Sequence, residues 1–151
     1  MSVKYVHTNI SAKEWKNLAR FYINVFGCEP VYPERNLEGD DFDKLTNIKN
    51  VKIKGIHLHL PGYSDGPTLE IFKYEPFIDD KVLPVFNNPG FSHIAFHVDD
   101  VTFYHKKILE NGGSKLGEII ESEVEGVGIL TCVYARDPEG NIIELQNWKK
   151  F

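Results

Sequence analysis

Gly90-Phe91-Ser92-His93-Ile94-Ala95-Phe96-His97-Val98-Asp99-Asp100 is the stretch whose reading decides the fold. Side chains alternate along a strand, so Phe91, His93, Ala95 and His97 share one face and Ser92, Ile94, Phe96 and Val98 the other. The second set is mostly apolar and suits a core, which leaves His93 on the opposite face. Asp99 or Asp100 then caps a helix reaching about Asn111, with Val101, Tyr104, Ile108 and Leu109 as its apolar residues and Gly112-Gly113 as its stop. The same strand-then-helix order opens the chain. Val3 to Ile10 alternates, with Tyr5, His7 and Asn9 on one face. Ser11 reads as an N-cap, and Glu14 three residues on completes a capping box. Trp15, Leu18, Ala19, Tyr22, Ile23 and Phe26 recur at helical spacing as far as Gly27.

The remainder repeats as well. Cys28 to Tyr32 is short and extended, broken by Pro30 and Pro33, and Glu34 to Asn50 reads as a long polar loop with one or two helical turns over Phe42 to Asn47. Val51 to Leu60 and Thr68 to Tyr74 are strands separated by a Pro-Gly turn and a polar loop. In the second half, Ser114 to Glu123, Val127 to Ala135 and Ile142 to Trp148 read as strands, the last two joined by the tight connection Asp137-Pro138-Glu139-Gly140-Asn141. Each half is therefore strand, helix, strand, strand, strand. Internal repetition of a whole supersecondary unit is informative about fold. The expected class is α+β: one domain over 1–151, made of two βαβββ modules whose mixed sheets form an open cup. Module one covers about 1–76, a proline-rich linker about 75–89, and module two about 90–151.

The bulk properties exclude several functions. The 151 residues are 42% hydrophobic and 26% charged, an ordinary globular profile long enough to bury a core. Net charge is −5 with the basic residues scattered, which argues against nucleic acid as a partner. No apolar run approaches the roughly 20 residues that span a bilayer, so no membrane partner is expected. Met1 to Tyr5 runs straight into a strand pattern, and Cys28 and Cys132 stand in no metal or redox spacing. A cytoplasmic protein with two buried thiols is the expectation.

Four polar side chains recur at equivalent places of the two repeats. Each first strand carries a His (His7, His93) and each last strand a Glu (Glu70, Glu144). In a βαβββ unit the helix covers one face of the sheet. Ile94, Phe96 and Val98 face the helix in one strand and Ile143 and Leu145 in another, so His93 and Glu144 fall on the open face, and the same parity puts His7 and Glu70 there. Two imidazoles and two carboxylates make a plausible site for one divalent ion: zinc, nickel, cobalt and iron suit imidazole, and manganese the carboxylates. Four protein ligands leave room for water or substrate, as a catalytic site requires. His57, His59, His97 and His105 have no such counterparts and read as core or surface residues. Phe72, Tyr74, Phe91 and Trp148 share faces with the four ligand candidates and are candidates for the wall of a small-molecule pocket.

These marks together resemble the vicinal oxygen chelate superfamily, which groups glyoxalase I, methylmalonyl-CoA epimerase, extradiol dioxygenases and the fosfomycin and bleomycin resistance proteins. The resemblance rests on Val6-His7-Thr8, Phe21-Tyr22 with Val25-Phe26-Gly27, Thr68-Leu69-Glu70-Ile71, Gly90 to Asp100, and Asp137 to Leu145, and so spans nearly the whole chain. It implies paired βαβββ modules with metal ligands at His7, Glu70, His93 and Glu144. Members with three ligands, matching His7, His93 and Glu144, are the dioxygenases and fosfomycin-modifying enzymes. A fourth at Glu70 matches the glyoxalase I and epimerase pattern. The resemblance thus implies a metal-dependent lyase or isomerase of glyoxalase I type. In it Glu144 or Glu70 abstracts a proton next to a carbonyl, and the enediolate or enolate is held by the metal. The alternatives are an acyl-CoA epimerase, a metal-free small-molecule binding or resistance protein, and an extradiol-type dioxygenase. Bacterial glyoxalase I carries an Arg just after its first His, where this chain has Asn9-Ile10-Ser11, so a small acid or a thioester stands beside glutathione as a substrate class. The resemblance also implies a homodimer.

Overall fold

In a computed structural model of the protein, which describes residues 1–80 and 82–151, the first of two units (Met1–Lys81) runs β1 (His7–Ser11), α1 (Trp15–Phe26), β2 (Glu29–Glu38), α2 (Asp40–Thr46), β3 (Lys52–His59) and β4 (Thr68–Glu75). The sheet order is β1-β4-β3-β2, with β1 parallel to β4 and the other pairs antiparallel. Helix α1 buries Leu18, Ala19, Phe21, Tyr22, Val25 and Phe26, and the sheet buries Ile56, Leu58, Leu69 and Ile71. The helix ends at Gly27, whose φ of 70° is left-handed and whose N–H bonds Ile23 O at 3.0 Å. A side chain there would cost about 1 kcal/mol.

Three local expectations change. Ser11 closes β1 and is not a cap: α1 starts at Trp15 behind Glu14, with no side-chain cap bond. Ser11 pairs instead with Phe72, so the sheet ladder extends through the residue that the capping pattern singled out. Strand β2 continues through Pro30 and Pro33, with a register shift between Val31 and Arg35. As an edge strand it tolerates residues that donate no ladder hydrogen bond. The Glu34 to Asn50 region is correspondingly ordered. Asp43 accepts from the N–H groups of Asn50 (2.7 Å) and Val51 (2.9 Å), and Phe42, Leu37, Ile48 and Tyr74 pack on a cluster of Val51, Ile53 and Phe72. Helix α2 thus lies against the sheet face opposite α1.

The second unit (Val82–Phe151) runs β5 (His93–His97), α3 (Val101–Glu110), β6 (Ser114–Lys115), β7 (Ile120–Val124), β8 (Gly128–Arg136) and β9 (Ile142–Lys149). Its sheet order is β5-β9-β8-β6, with β7 also on β8 and β5 parallel to β9. The single strand expected over Ser114 to Glu123 is two short ones with Leu116 to Ile119 between them. Asp100 is the N-cap, accepting from Phe103 N–H at 2.9 Å. The Asp137 turn is built around a buried carboxylate. Its Oδ1 accepts from Glu139 N–H (2.9 Å) and Asn141 N–H (3.0 Å), its Oδ2 from Asn141 Nδ2 (2.8 Å), and Arg136 donates to Gly140 O (2.8 Å). The α+β class with two βαβββ modules describes the chain. Among the described residues no helix is long and apolar enough to cross a membrane.

Candidate metal centre

Parity places Glu70 on the face of unit one away from α1, between the fully buried Leu69 and Ile71 on the other side. Register does the rest: β4 lies between β1 and β3, with Asn9 opposite Glu70 on one flank and His57 on the other. Both carboxylate oxygens are engaged. Oε2 accepts from Asn9 Nδ2 at 3.0 Å and lies 3.4 Å from His7 Nε2, while Oε1 lies 3.1 Å from His57 Nε2. The two imidazoles stand edge-on, with ring centroids 6.1 Å apart. Burial lowers the His57 pKa from its ordinary value, and the Arg35 and His7 charges add to this against the opposing pull of Glu70. Arg35 sits on β2 opposite Gly55, bonded to the Pro33 carbonyl, so a guanidinium borders this face although none follows His7.

The second unit repeats the pair with other neighbours. His93 Nε2 is 2.9 Å from Glu144 Oε2, and Ser92 Oγ lies 2.7 Å from His93 Nδ1. Opposite Glu144 on β8 is Tyr134, and on β5 is Ala95. Tyr134 and Phe86 box the His93 ring at centroid distances of 5.3 and 5.9 Å. Cys132 Sγ donates to Glu144 Oε1 at 3.7 Å. Burial, then the Glu144 charge, pushes the Cys132 thiol up to about 11 and raises the Tyr134 phenol.

Each unit therefore brings its own His and Glu together. Among the described residues no three His, Cys, Asp or Glu side chains close on a point that could hold a metal ion. The donor chemistry of each pair fits a divalent ion. Nitrogen and oxygen ligands about 2.1 Å from one ion at right angles stand about 3 Å apart, and the two pairs are at 3.4 and 2.9 Å.

The pocket candidates differ in their surroundings. Phe72 is buried under α2, and Tyr74 is half-buried beside it with a phenol pKa raised by burial and then by Glu70. Phe91 is fully exposed, and Trp148 donates Nε1–H to Gln146 Oε1 at 2.7 Å. A depression of about 460 Å³ lined by Gly27, Glu29, His59, Pro61 and Tyr63 contains none of the four ligand candidates. Sequence reading passed over His57, Cys132 and Tyr134. The signal for His57 was the β3–β4 register: His59 pairs with Thr68, and counting back two residues sets His57 beside Glu70.

A family model described as the Glyoxalase/Bleomycin resistance protein/Dioxygenase superfamily matches residues 4–145. Among solved structures, a glyoxalase-family protein from Bacillus cereus superposes with a TM-score of 0.77 at 18% identity, covering 98% of this chain and 94% of that one. The genomically encoded fosfomycin resistance protein of Listeria monocytogenes gives 0.53 at 16% identity, over 100% of this chain and 94% of that one. A glyoxalase I mutant from Zea mays gives 0.64 at 20% identity, covering 95% of this chain but 44% of that one. At these identities the likeness is one of fold. No curated protein sequence matches.

Proposed function

Because the chain belongs to the Glyoxalase/Bleomycin resistance protein/Dioxygenase superfamily, we propose that it is a divalent-metal-dependent lyase or isomerase of glyoxalase I type. His7, Glu70, His93 and Glu144 would hold the ion, with Glu144 and Glu70 as the proton-moving carboxylates. The observation that carries this reading is the doubled His–Glu pair, with nitrogen-to-oxygen distances within each pair that suit two ligands of a divalent ion. When bound, the metal would supply Lewis-acid polarisation of a substrate carbonyl. The protein's own part is to take a proton from the adjacent carbon onto a carboxylate oxygen and return it. Return to the same carbon from the other side is epimerisation, and return to its neighbour is the isomerisation. Neither needs an oxidant or a reductant. General-base transfer of this kind contributes typically about 10²–10⁴-fold.

The surrounding residues set the carboxylates up for different parts. Glu70 is held by the side-chain amide of Asn9 on one oxygen and by His57 on the other, whereas Glu144 has the weak thiol donor of Cys132 on Oε1, His93 on Oε2 and the Tyr134 phenol beside it. Ser92 can hold His93 Nδ1 and so direct Nε2 toward Glu144. The Arg35 guanidinium on the unit-one face suits an acidic substrate. Both cysteines are buried and free, in keeping with a cytoplasmic setting, and a homodimer is the assembly we expect.

The test is metal analysis of purified protein followed by proton–deuterium exchange on a panel of α-hydroxy thioesters and acyl-CoA compounds. We expect about one divalent ion for each His₂Glu₂ set and exchange at the carbon next to the carbonyl. Protein that neither carries nor takes up an ion, and exchanges nothing, would overturn the proposal. Stabilisation by a small molecule that is indifferent to chelators would point to a binding protein instead.

A further inference from the structure

We propose that His57 is a positioning residue for Glu70: from the neighbouring strand its Nε2–H holds carboxylate oxygen Oε1 and leaves Oε2 for the side that His7 faces. The inference rests on the reading of Glu70 as a ligand. Its geometry is independent of that reading.

Three observations carry it. The first is division of the carboxylate. His57 lies on Oε1 at 3.1 Å, while His7 (3.4 Å) and Asn9 (3.0 Å) lie on Oε2. A carboxylate only accepts, so a neutral imidazole nitrogen facing it must carry the proton. The other ring nitrogen of His57 is then bare, and Thr68 Oγ1 lies 3.5 Å from it, where its hydroxyl can donate. The second is rigidity. His57 and Glu70 are register partners in an antiparallel pair, and the His57 ring packs edge-on to Phe72, with centroids 5.4 Å apart, with its side chain only 21% exposed. A carboxylate braced this way loses little rotamer freedom when it takes a ligand. The third is recurrence. The residue facing Glu144 from the equivalent strand of unit two is Tyr134, another side chain with a proton to donate. The two units thus place different donors in one slot beside each carboxylate.

The alternative, that His57 is a further ligand, fits less well. It meets the opposite oxygen from His7, and no three such groups converge among the described residues.

The test uses the full chain in four forms: wild type, His57→Ala, His57→Gln and His59→Ala, titrated with Zn²⁺ by calorimetry. Residues that orient a ligand typically contribute about 10–100-fold to metal affinity. His57→Ala should weaken Zn²⁺ binding by that factor. His57→Gln, whose amide can still donate to Oε1, should recover most of it. His59→Ala, on an exposed side chain, should bind as wild type. Undiminished affinity in His57→Ala overturns the proposal. A second readout needs no metal. A long-range ¹H–¹⁵N spectrum of the metal-free protein should show His57 protonated at Nε2, and Glu70→Ala should release that preference. An Nδ1-protonated ring in the wild type, or a tautomer indifferent to Glu70→Ala, also overturns it. Wild type that takes up no Zn²⁺ but keeps the Nε2–H tautomer in a Glu70-dependent way would remove the metal reading and leave the positioning role standing.

Discussion

Glu70 and Glu144 occupy the same slot of two matching sheets, yet their surroundings differ. In unit one the carboxylate is flanked by Asn9 and His57, and the face beyond it is filled by Phe42 of α2 with Leu37 of β2 and Ile48 just after the helix. In unit two Ala95 and Tyr134 take those flanking places, Cys132 contributes a thiol, and no helix stands between β7 and β8. A duplicated backbone thus fixes where the His and Glu go. Substitutions at the flanking positions decide how tightly each carboxylate is held, and that separation of placement from restraint is what the comparison teaches.

The strongest challenge to the asymmetry is to neutralise each carboxylate in turn. Glu144→Gln should lower carbon-bound proton exchange by about 10²-fold or more while circular dichroism and the melting temperature stay unchanged. Glu70→Gln should cost less, because Asn9 and His57 hold its two oxygens at 3.0 and 3.1 Å, whereas Glu144 Oε1 has a weak thiol donor at 3.7 Å. Equal losses in exchange rate would erase the distinction.

Packing gives the next largest contrast. Phe72 and Gln146 are corresponding residues, two positions beyond each Glu, but Phe72 is buried against the α2 cluster and lies over Gly55, where an added Cβ would stand 2.3 Å from the ring. Phe72→Ala should destabilise the protein by about 3–5 kcal/mol in urea unfolding. Gln146→Ala should cost no more than about 1 kcal/mol. A small effect at Phe72 would mean that α2 is not anchored through it.

The strand connections differ in the same spirit. Asp137→Ala strips a buried acceptor from two backbone N–H groups and should cost about 1–3 kcal/mol. Asp65→Ala, in the corresponding loop of unit one, breaks only an exposed pair with Lys4 and should leave the unfolding midpoint unmoved.

The smallest contrast concerns pH. Burial lowers the pKa of His57 in unit one and His105 in unit two from the ordinary 6.5, the Lys115 charge adding to the effect at His105, where Nε2 is buried without a partner. Below about pH 6.5 the unfolded chain takes up protons that the folded one refuses. Stability is therefore full above that pH and falls as the medium is acidified. His57→Gln and His105→Gln should each flatten the melting temperature between pH 6.5 and 5, and an unchanged slope in either would locate the acid sensitivity elsewhere.

Much of this was legible in the sequence. Strand parity alone set His7, Glu70, His93 and Glu144 on the faces away from the helices, because one-sided burial forbids a one-residue slip. What escaped was of two kinds. The sequence predicts helical turns over Phe42 to Asn47, but α2 is short and polar in its first turn, with three aspartates, so its packing onto the sheet through Phe42 had no periodic neighbours to announce it. The partners of Glu70 and Glu144 lie across strands, and pairing is set by loop geometry that composition does not encode: His57 was visible as a residue but not as a neighbour. Ser11 misled for a related reason. The capping pattern is local, and the ladder that extends β1 to Ser11 comes from a strand far along the chain.

That distance has a consequence for how the molecule forms. The contact of Asn9 with Glu70 spans 61 residues, and that of Asn147 with Val98 spans 49, whereas the β3–β4 and β8–β9 hairpins close over short loops. Loop-closure entropy makes the long-range parallel pairings the late events of folding. Each His rides on a late-docking strand and each Glu on an early hairpin. The His–Glu pairs are absent from any partly folded chain that has formed only its hairpins, so whatever needs both partners of a pair would distinguish finished molecules from unfinished ones.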